Sequence, residues 1–381
     1  MHRRNFLKVV GSSSVILAAS TSMIGCSTIS GPSADQPWHI AGSNYKDFRM
    51  RALSWAILAP NPHNRQPWLV KMIGADSLVL SLDTERMLPE TDPYNRQIMI
   101  GMGCFSELLR LAAAEDGYHL VIDWFPDGVV SETGTLDNRA IASIQFVKGA
   151  EPDGLFKQVS KRRSFKKEFL DKIIDSNILN KIEDAQIEGA LINLNNESIF
   201  VEKMRKLTIK AMDVELSTER TYLESINLLR IGSDEVKANP DGISLNGYSF
   251  TILRMLGLFT HEDARDMNSS GYKQSAEDLL SVLDSAYGYV WITTPGNNRL
   301  DQIKAGQNYL RVNLKVTELG LKIHPISQSL QEYDEMGGSM ENVNKLTGVN
   351  APERLQMLAR LGYGEDISAS PRWPVDKMIR S

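Results

Sequence analysis

Two short polar stretches hold the residue types that could do chemistry. The first is Ala59-Pro-Asn-Pro-His-Asn-Arg-Gln-Pro-Trp68. Two prolines within three residues forbid helix there, while Asn61 and Asn64 carry amides that both donate and accept hydrogen bonds. Such a rigid polar turn suits the edge of a planar ring rich in heteroatoms; the plain alternative is a helix-to-strand loop with Trp68 plugging the core. The second stretch is Lys161-Arg-Arg-Ser-Phe-Lys-Lys167. A run of charge usually marks a solvated face. Here it sits in an acidic protein and sets a hydroxyl and an aromatic among the cations, which fits a phosphate site of guanidinium and hydroxyl donors. Other chemistries leave no comparable pattern. The 6 histidines have no metal-ligand spacing with one another or with Cys104. No Gly-x-Gly-x-x-Gly or phosphate-loop pattern follows a strand, and no Gly-x-Ser-x-Gly elbow presents a nucleophile.

The elements that must position these stretches come in two related sets. Residues 101–117 have helical apolar spacing through Leu108, Leu109, Leu111 and Ala112 and end at a glycine suited to a C-cap. Residues 305–320 are laid out the same way. At a constant offset of 203, Gly103 meets Gly306, Leu111 meets Leu314, Glu115 meets Glu318 and Gly117 meets Gly320. Each helix then runs into a short apolar strand, at 120–124 and 323–326. The pattern predicts a duplication. Glycine early in a helix is costly unless backbones approach closely, so the paired helices are expected to pack on each other, as at a two-fold interface. Elsewhere the spacing predicts a helix over 45–58, a strand pair over 69–82 around Gly74-Ala75-Asp76, and a strand over 140–147. Further helices are expected over 154–159, 170–185, 202–227 and 275–284, then a buried strand over 287–293. The apolar stretch 245–259 reads as a covering lid or a core helix.

Residues 60–68 resemble the Pro-Ser-x-x-Asn-x-Gln-Pro-Trp signature of nitroreductase-family flavoproteins, with Asn61 in place of Ser and His63 pointing to the Acg-like branch. Residues 162–166 resemble the Arg-x-Ser-x-Arg/Lys motif that opens that domain. Arg360-Leu-Gly-Tyr-Gly364 and Pro371-Arg-Trp-Pro-Val-Asp376 resemble the closing strand and the last phosphate-binding basic residue, with Ser370 where many relatives have Lys. Pro325-Ile-Ser-Gln328 falls where relatives set backbone N–H groups beside a flavin, Ser327-Gln328 replacing the common Glu-Gly.

The resemblance implies an α+β nitroreductase-like fold, internally duplicated so that one chain imitates a homodimer, with halves at 46–155 and 156–381. It implies one FMN between them. Pro60, Asn61 and Asn64 would border the ring, Arg162, Ser164 and Arg372 would hold the phosphate and ribityl chain, and Lys166 would lie near N1 and the C2 carbonyl. Ser327 and Gln328 would serve N5 and O4 through their backbone. A second site is not expected, because no Arg-Arg-Ser-Phe-Lys precedes the turn of the first half and residues 187–192 replace Gln-Pro-Trp in the second. The implied activity is two-electron reduction of nitroaromatic- or quinone-like acceptors by a ping-pong mechanism, fed by a small-molecule electron donor, in a monomer. An FMN-binding or storage protein without turnover is the competing class, and a flavin-free surface lipoprotein the third.

At the start of the chain, Arg3-Arg4-Asn5-Phe6-Leu7-Lys8 resembles a twin-arginine signal, followed by a modest apolar run and by Met23-Ile24-Gly25-Cys26, which resembles a lipobox. Ser12-Ser13-Ser14 interrupts the apolar run, which is too short to span a membrane as a helix. The expectation is a signal peptide at 1–25 and a linker at 26–45. The protein would be exported folded by the twin-arginine machinery and held at a periplasmic membrane surface by a lipid on Cys26. Cutting before Cys26 would remove Arg3, Arg4 and Lys8 and no acidic residue, taking the net charge from −5 to −8. That argues against nucleic acid as a partner. With Cys26 acylated, Cys104 has no disulfide partner, and stability must come from the core.

Overall fold

The computed structural model describes residues 33–380 apart from 44, 247 and 258. Arg3, Arg4 and Cys26, and with them the export and lipidation expectations, lie outside the described residues.

Two helices of 20 residues each, Arg96–Glu115 and Arg299–Glu318, form the centre, and their bounds repeat at the offset of 203. They meet at the paired glycines. A Cβ on Gly103 would stand 2.1 Å from the Ile303 carbonyl oxygen, and one on Gly306 2.0 Å from that of Ile100. Only glycine admits so close a backbone approach. Cys104, one residue on, is buried and donates its Sγ–H to the Gly306 carbonyl at 3.1 Å. Desolvation pushes its pKa up to about 12, so it is a packed thiol and not a reactive one. Arg311 crosses between the elements, donating to Glu107 Oε1 at 3.1 Å and Asp153 Oδ2 at 2.7 Å.

A sheet flanks each side of this pair. The first contains β1 (Trp68–Ile73), β2 (Ser77–Leu82), β3 (Tyr118–Trp124) and β4 (Ala140–Lys148), in the order β1-β2-β4-β3, all antiparallel. The second contains β5 (Leu191–Asn195), β8 (Gly288–Thr294), β9 (Lys322–Pro325) and β10 (Arg354–Gly362), in the order β5-β8-β10-β9, also antiparallel. Between them in sequence, β6 (Leu229–Ile231) and β7 (Ile243–Leu245) pair in parallel as a small separate ribbon. The chain end returns to the first sheet: β11 (Ile379–Arg380) runs parallel to β1, with Val70 opposite Ile379. This return carries residues 370–373 past the polar turn that precedes β1. The molecule is α+β, with one continuous core from Leu53 and Val70 through Phe105 and Leu310 to Val290 and Leu361.

The structure departs from the sequence expectations at four places. Over 170–185 the chain becomes helical only from Ser176, as an α-helix over Ser176–Asn180 that passes into a 3-10 turn over Lys181–Ala185; the Asp175 side chain caps the Asn177 N–H at 2.7 Å. Leu170 instead bridges to Tyr363, extending the edge of the second sheet. Over 202–227 there are two helices, Ser198–Ser217 and Glu219–Asn227, because Thr218 takes extended backbone (φ −82°, ψ 111°). Within the expected linker, Gln36–Ile40 forms a short helix and Trp38 is 6 % exposed. The 245–259 stretch holds the Tyr248–Met255 helix at the surface, with Met255 75 % and Leu256 64 % exposed, so it is no core helix.

Candidate functional site

Residues 61–66 fold into a turn with three non-glycine residues at positive φ: His63 (46°), Asn64 (53°) and Gln66 (51°). Left-handed backbone costs such residues on the order of 1–2 kcal/mol each, so the surroundings must hold it. Asn61 closes the turn on itself, its Oδ1 accepting from the Gln66 N–H at 2.8 Å and its Nδ2 donating to the Ala59 carbonyl at 3.1 Å. The turn lies against the first central helix at Gly101, whose absent Cβ would stand 3.2 Å from Pro62 Cδ and 3.4 Å from Asn61 Cβ. The returning C-terminal segment clamps it from outside. Asn64 Nδ2 donates to the Pro371 carbonyl at 3.1 Å, and Gln66 Oε1 accepts from the Trp373 N–H at 3.0 Å. From a third side come the Pro240 carbonyl, accepting from Gln66 Nε2 at 2.8 Å, and the Gly242 N–H, donating to the Asn64 carbonyl at 3.2 Å.

Arg372 is expected from the resemblance to grip phosphate, but the structure employs it otherwise. Its Nε donates to the Ile57 carbonyl at 2.8 Å, and its Nη2 to those of Leu58 and Ala59 at 3.3 and 3.1 Å. Its Nη1 donates to Asn64 Oδ1 at 2.6 Å, Ser370 Oγ at 2.7 Å and the Pro371 carbonyl at 2.8 Å. The guanidinium thus satisfies the free carbonyls after the Phe48–Ala56 helix, where a cation is favourable. It offers no spare donor. Asn61 likewise spends its amide on the turn, and Asn64 spends its amide on Pro371 and Arg372, not on a ring edge.

Arg162 is the opposite case. It is 2 % exposed, and one nitrogen, Nη2, donates to the Leu58 carbonyl at 2.9 Å. Its Nε and Nη1 are buried with no partner. Desolvation pushes its pKa down to about 10. Arg163 is adjacent, and desolvation followed by the charges of Arg162 and Arg163 holds Arg372 well below its ordinary value. Among the described residues no carboxylate pairs with Arg162 or Arg372 within salt-bridge distance. Buried donors without acceptors are costly, and a cluster of guanidiniums without a counter-charge is a site shaped for an anion.

Beyond Arg162, the Phe165 N–H donates to the Ile323 carbonyl at 2.8 Å, tying this segment to β9. Phe165 is buried, flanked by half-buried Ser164 and exposed Lys166. No side-chain bond to Ser164 Oγ occurs among the described residues. Lys166 has accessible surface, yet desolvation lowers its pKa, against the pull of Glu215. Glu215, Gln328 and Lys166 thus stand about one recess, and His63 borders it. Its pKa is pushed down to about 4 by desolvation, then by the charges of Lys166 and Arg65, and its Nδ1 is buried without a partner. The polar turn of the first half therefore faces the cation of the second.

Ser327 and Gln328 open a short 3-10 turn after β9. Ser327 is buried, its Oγ 3.6 Å from Met357 Sδ. Gln328 is half-buried beside Glu215, with Oε1 unpartnered. Pro60 is buried under the turn. Glu215, 7 % exposed, accepts from Gln331 Nε2 at 2.6 Å, and burial raises its pKa. The structure thus brings Asn64, Arg162 and Arg372 together at one end and Lys166 and Gln328 at the other, with Ser164 between Arg162 and Lys166 in the chain. Sequence reasoning missed Trp38, Glu215 and the placement of His63. Glu215 was open to discovery as a carboxylate on the apolar stripe Val201, Met204, Thr208, Ala211, Met212. No group of three or more His, Cys, Asp or Glu among the described residues could hold a metal.

No family model matches the chain. Acg proteins of two Mycobacterium tuberculosis strains, named as NAD(P)H nitroreductases, are 36 % identical over 77 residues, 20 % of this chain. The chain spans 23 % of the length of these curated relatives. Among solved structures, the FMN- and NADPH-dependent nitroreductase NfnB of Sphigopyxis sp. strain HMH is 16 % identical, with a TM-score of 0.38, over 60 % of this chain and 99 % of that one. NfnB of Mycobacterium smegmatis, solved with NADPH, is 14 % identical, with a TM-score of 0.37, over 59 % and 96 %. A nitroreductase-like protein of Bacillus cereus is 13 % identical, with a TM-score of 0.33, over 60 % and 96 %. These proteins are nitroreductases or nitroreductase-like by name.

Proposed function

We propose that this chain is an exported FMN-binding oxidoreductase of nitroreductase type, carried out folded on its Arg3-Arg4 signal and held at a membrane surface through Cys26. One observation carries the cofactor assignment: Arg162 buries Nε and Nη1 without acceptors beside Arg372, and among the described residues neither has a carboxylate partner. Those atoms fit the phosphate of a mononucleotide, with the Ser164 hydroxyl next along the chain. Lys166 then supplies a cation where the recess is walled by His63 and Gln328. When bound, FMN would supply two-electron redox chemistry, letting a donor and a nitroaromatic- or quinone-like acceptor use one site in turn, as ping-pong kinetics require.

The chain's own residues do the rest. Lys166 favours negative charge on whatever lies beside it, and does so strongly because the recess is poorly solvated. His63 stays neutral at physiological pH, adding no second cation there. Glu215 and Gln331 close the recess with a hydrogen-bonded carboxylate. The excursion that places Pro240 and Gly242 on the polar turn shields it from solvent. That cover also favours a second reading, in which the protein stores FMN with little turnover.

Purification of the exported protein and its visible spectrum decide between these. A flavin that NADPH or another donor reduces, and that nitroaromatics or quinones reoxidise, supports the enzyme. A yellow protein whose flavin resists donors and acceptors supports storage. A colourless protein that cannot be loaded with FMN sinks both. Lysine replacement of Arg3 and Arg4 should block export of the folded protein.

A further inference from the structure

The segment that leads from the proposed anchor into the fold is part of the arginine cluster. Trp38, on the Gln36–Ile40 helix, is 6 % exposed and donates its indole N–H to the Ser370 carbonyl at 2.8 Å. The Arg372 N–H donates to the Ala34 carbonyl at 2.9 Å, fastening the same segment a second time. Three guanidinium carbons surround one indole: Arg163 at 4.7 Å from the ring centroid, Arg162 at 5.5 Å and Arg372 at 5.5 Å.

Like charges do not gather in a desolvated place without compensation. Carboxylates are the usual compensation, and here Asp35 and Asp366 act on Arg163 while Arg162 and Arg372 have none, which leaves their charge to an incoming phosphate. An aromatic face attracts guanidinium through its quadrupole while carrying no net charge. It can therefore hold several cations together and leave their charge available. Arg162 is the one among them with buried donors left free, and its guanidinium carbon lies 5.5 Å from the indole centroid.

We propose that Trp38 is a positioning residue of the phosphate site: its indole, packed on Arg162, Arg163 and Arg372, fixes the Arg162 guanidinium with Nε and Nη1 free for an anion, so that tight mononucleotide binding depends on the 33–40 segment. This rests on the FMN assignment above. The site is then built from three separate stretches of chain, at 33–40, 162–163 and 370–372, and joins the second half to the segment that precedes the first.

The test uses the full chain, stripped of flavin and titrated with FMN by fluorescence quenching, in wild type, Trp38→Phe, Trp38→Leu and Arg162→Ala. Circular dichroism and thermal melts accompany each titration. Leucine and phenylalanine both shorten the side chain and lose the indole N–H, but only phenylalanine keeps a π face. The expected result is an FMN dissociation constant raised about tenfold or more by Trp38→Leu and largely restored by Trp38→Phe, in proteins that remain folded. Equal affinity for the Phe and Leu variants overturns the proposal, while binding by wild type and its loss in Arg162→Ala leave the FMN assignment standing. A wild type that binds no FMN removes that assignment and the proposal together. The comparison needs no turnover, so it holds whether the protein is an enzyme or a store.

Discussion

Arg162 and Arg372, 210 residues apart in the chain, donate to the same oxygen, the carbonyl of Leu58, at 2.9 and 3.3 Å. Their positions are alike and their employment is not. Arg372 meets protein acceptors at Nε, Nη1 and Nη2, whereas Arg162 keeps Nε and Nη1 unpaired in the interior. The Phe48–Ala56 helix ends at this point, and its terminal carbonyls draw both cations to it. One arginine is therefore a structural clamp and the other a receptor.

That difference separates two substitutions. Arg372→Lys removes the planar fork that reaches Ile57, Ala59 and Asn64 together, and should destabilise the protein by about 3 kcal/mol or more. Arg162→Met removes a buried charge that has one acceptor. It should leave the FMN-free protein at least as stable in urea denaturation while FMN binding is lost. Equal destabilisation by both would show that Arg162 also serves chiefly as a clamp.

Gly103 and Gly306 set the spacing of the two central helices. Alanine at 103 would bring its Cβ within 2.1 Å of a backbone oxygen that no rotamer change can move. Gly103→Ala is expected to cost about 1–3 kcal/mol of stability, and Gly306→Ala a similar amount. The double variant should cost less than their sum, because the helices need separate only once. Gly117 is also replaced at a price in conformation (φ 76°), but a Cβ there meets nothing within 4 Å. Gly117→Ala should therefore cost only the left-handed backbone term, about 1–2 kcal/mol. Thermal melts of the single and double variants check the order.

The central helices were legible because their constraint is local and repeated: glycine at the crossing, leucine facing inward, glycine at the end, all at one offset. The recess was legible in part for a related reason, since Arg162, Ser164 and Lys166 lie within five residues and one extended stretch presents them. Asn64 and Arg372 were found but misemployed, because the sequence cannot show that Arg372, 308 residues beyond Asn64, would satisfy both the strained turn and the helix end before it. Trp38 was hidden by its Ser/Gly/Pro-rich approach, which reads as tether; its partners are all distant. Thr218 gave no proline or glycine to mark the break between two helices, and tertiary packing placed it.

Lys166 tests the electrostatics of the recess. The side chain has exposed surface, yet desolvation lowers its pKa, with Glu215 as opposing charge. Replacing it by glutamine removes a cation without much change in length. In flavin-loaded protein, Lys166→Gln is expected to lower the two-electron midpoint potential by about 30 mV or more, where 30 mV corresponds to about 1.4 kcal/mol. Lys166→Arg should shift it less. Spectroelectrochemical titration measures both, and a potential unmoved by Lys166→Gln would place the ammonium away from the cofactor.

His63 gives the recess a pH signature in stability. In the folded chain its imidazole stays neutral down to about pH 4, because desolvation and then the charges of Lys166 and Arg65 oppose its protonation. An unfolded histidine protonates near pH 6.5. Between those values the unfolded chain binds the extra proton, so stability rises with pH. The neutral side chain carries no penalty above pH 6.5, and stability is lost as pH falls from 6.5 toward 4. At pH 5 the two pKa values translate to about 2 kcal/mol. His63→Asn keeps a residue tolerant of left-handed backbone and cannot titrate. The difference in unfolding free energy between His63→Asn and wild type should therefore shift by about that amount in favour of the variant between pH 7 and pH 5. Urea denaturation at both values measures it. A difference that stays constant would mean that the imidazole is as free to protonate in the folded protein as in the unfolded one, and hence that His63 does not face Lys166 in a desolvated recess.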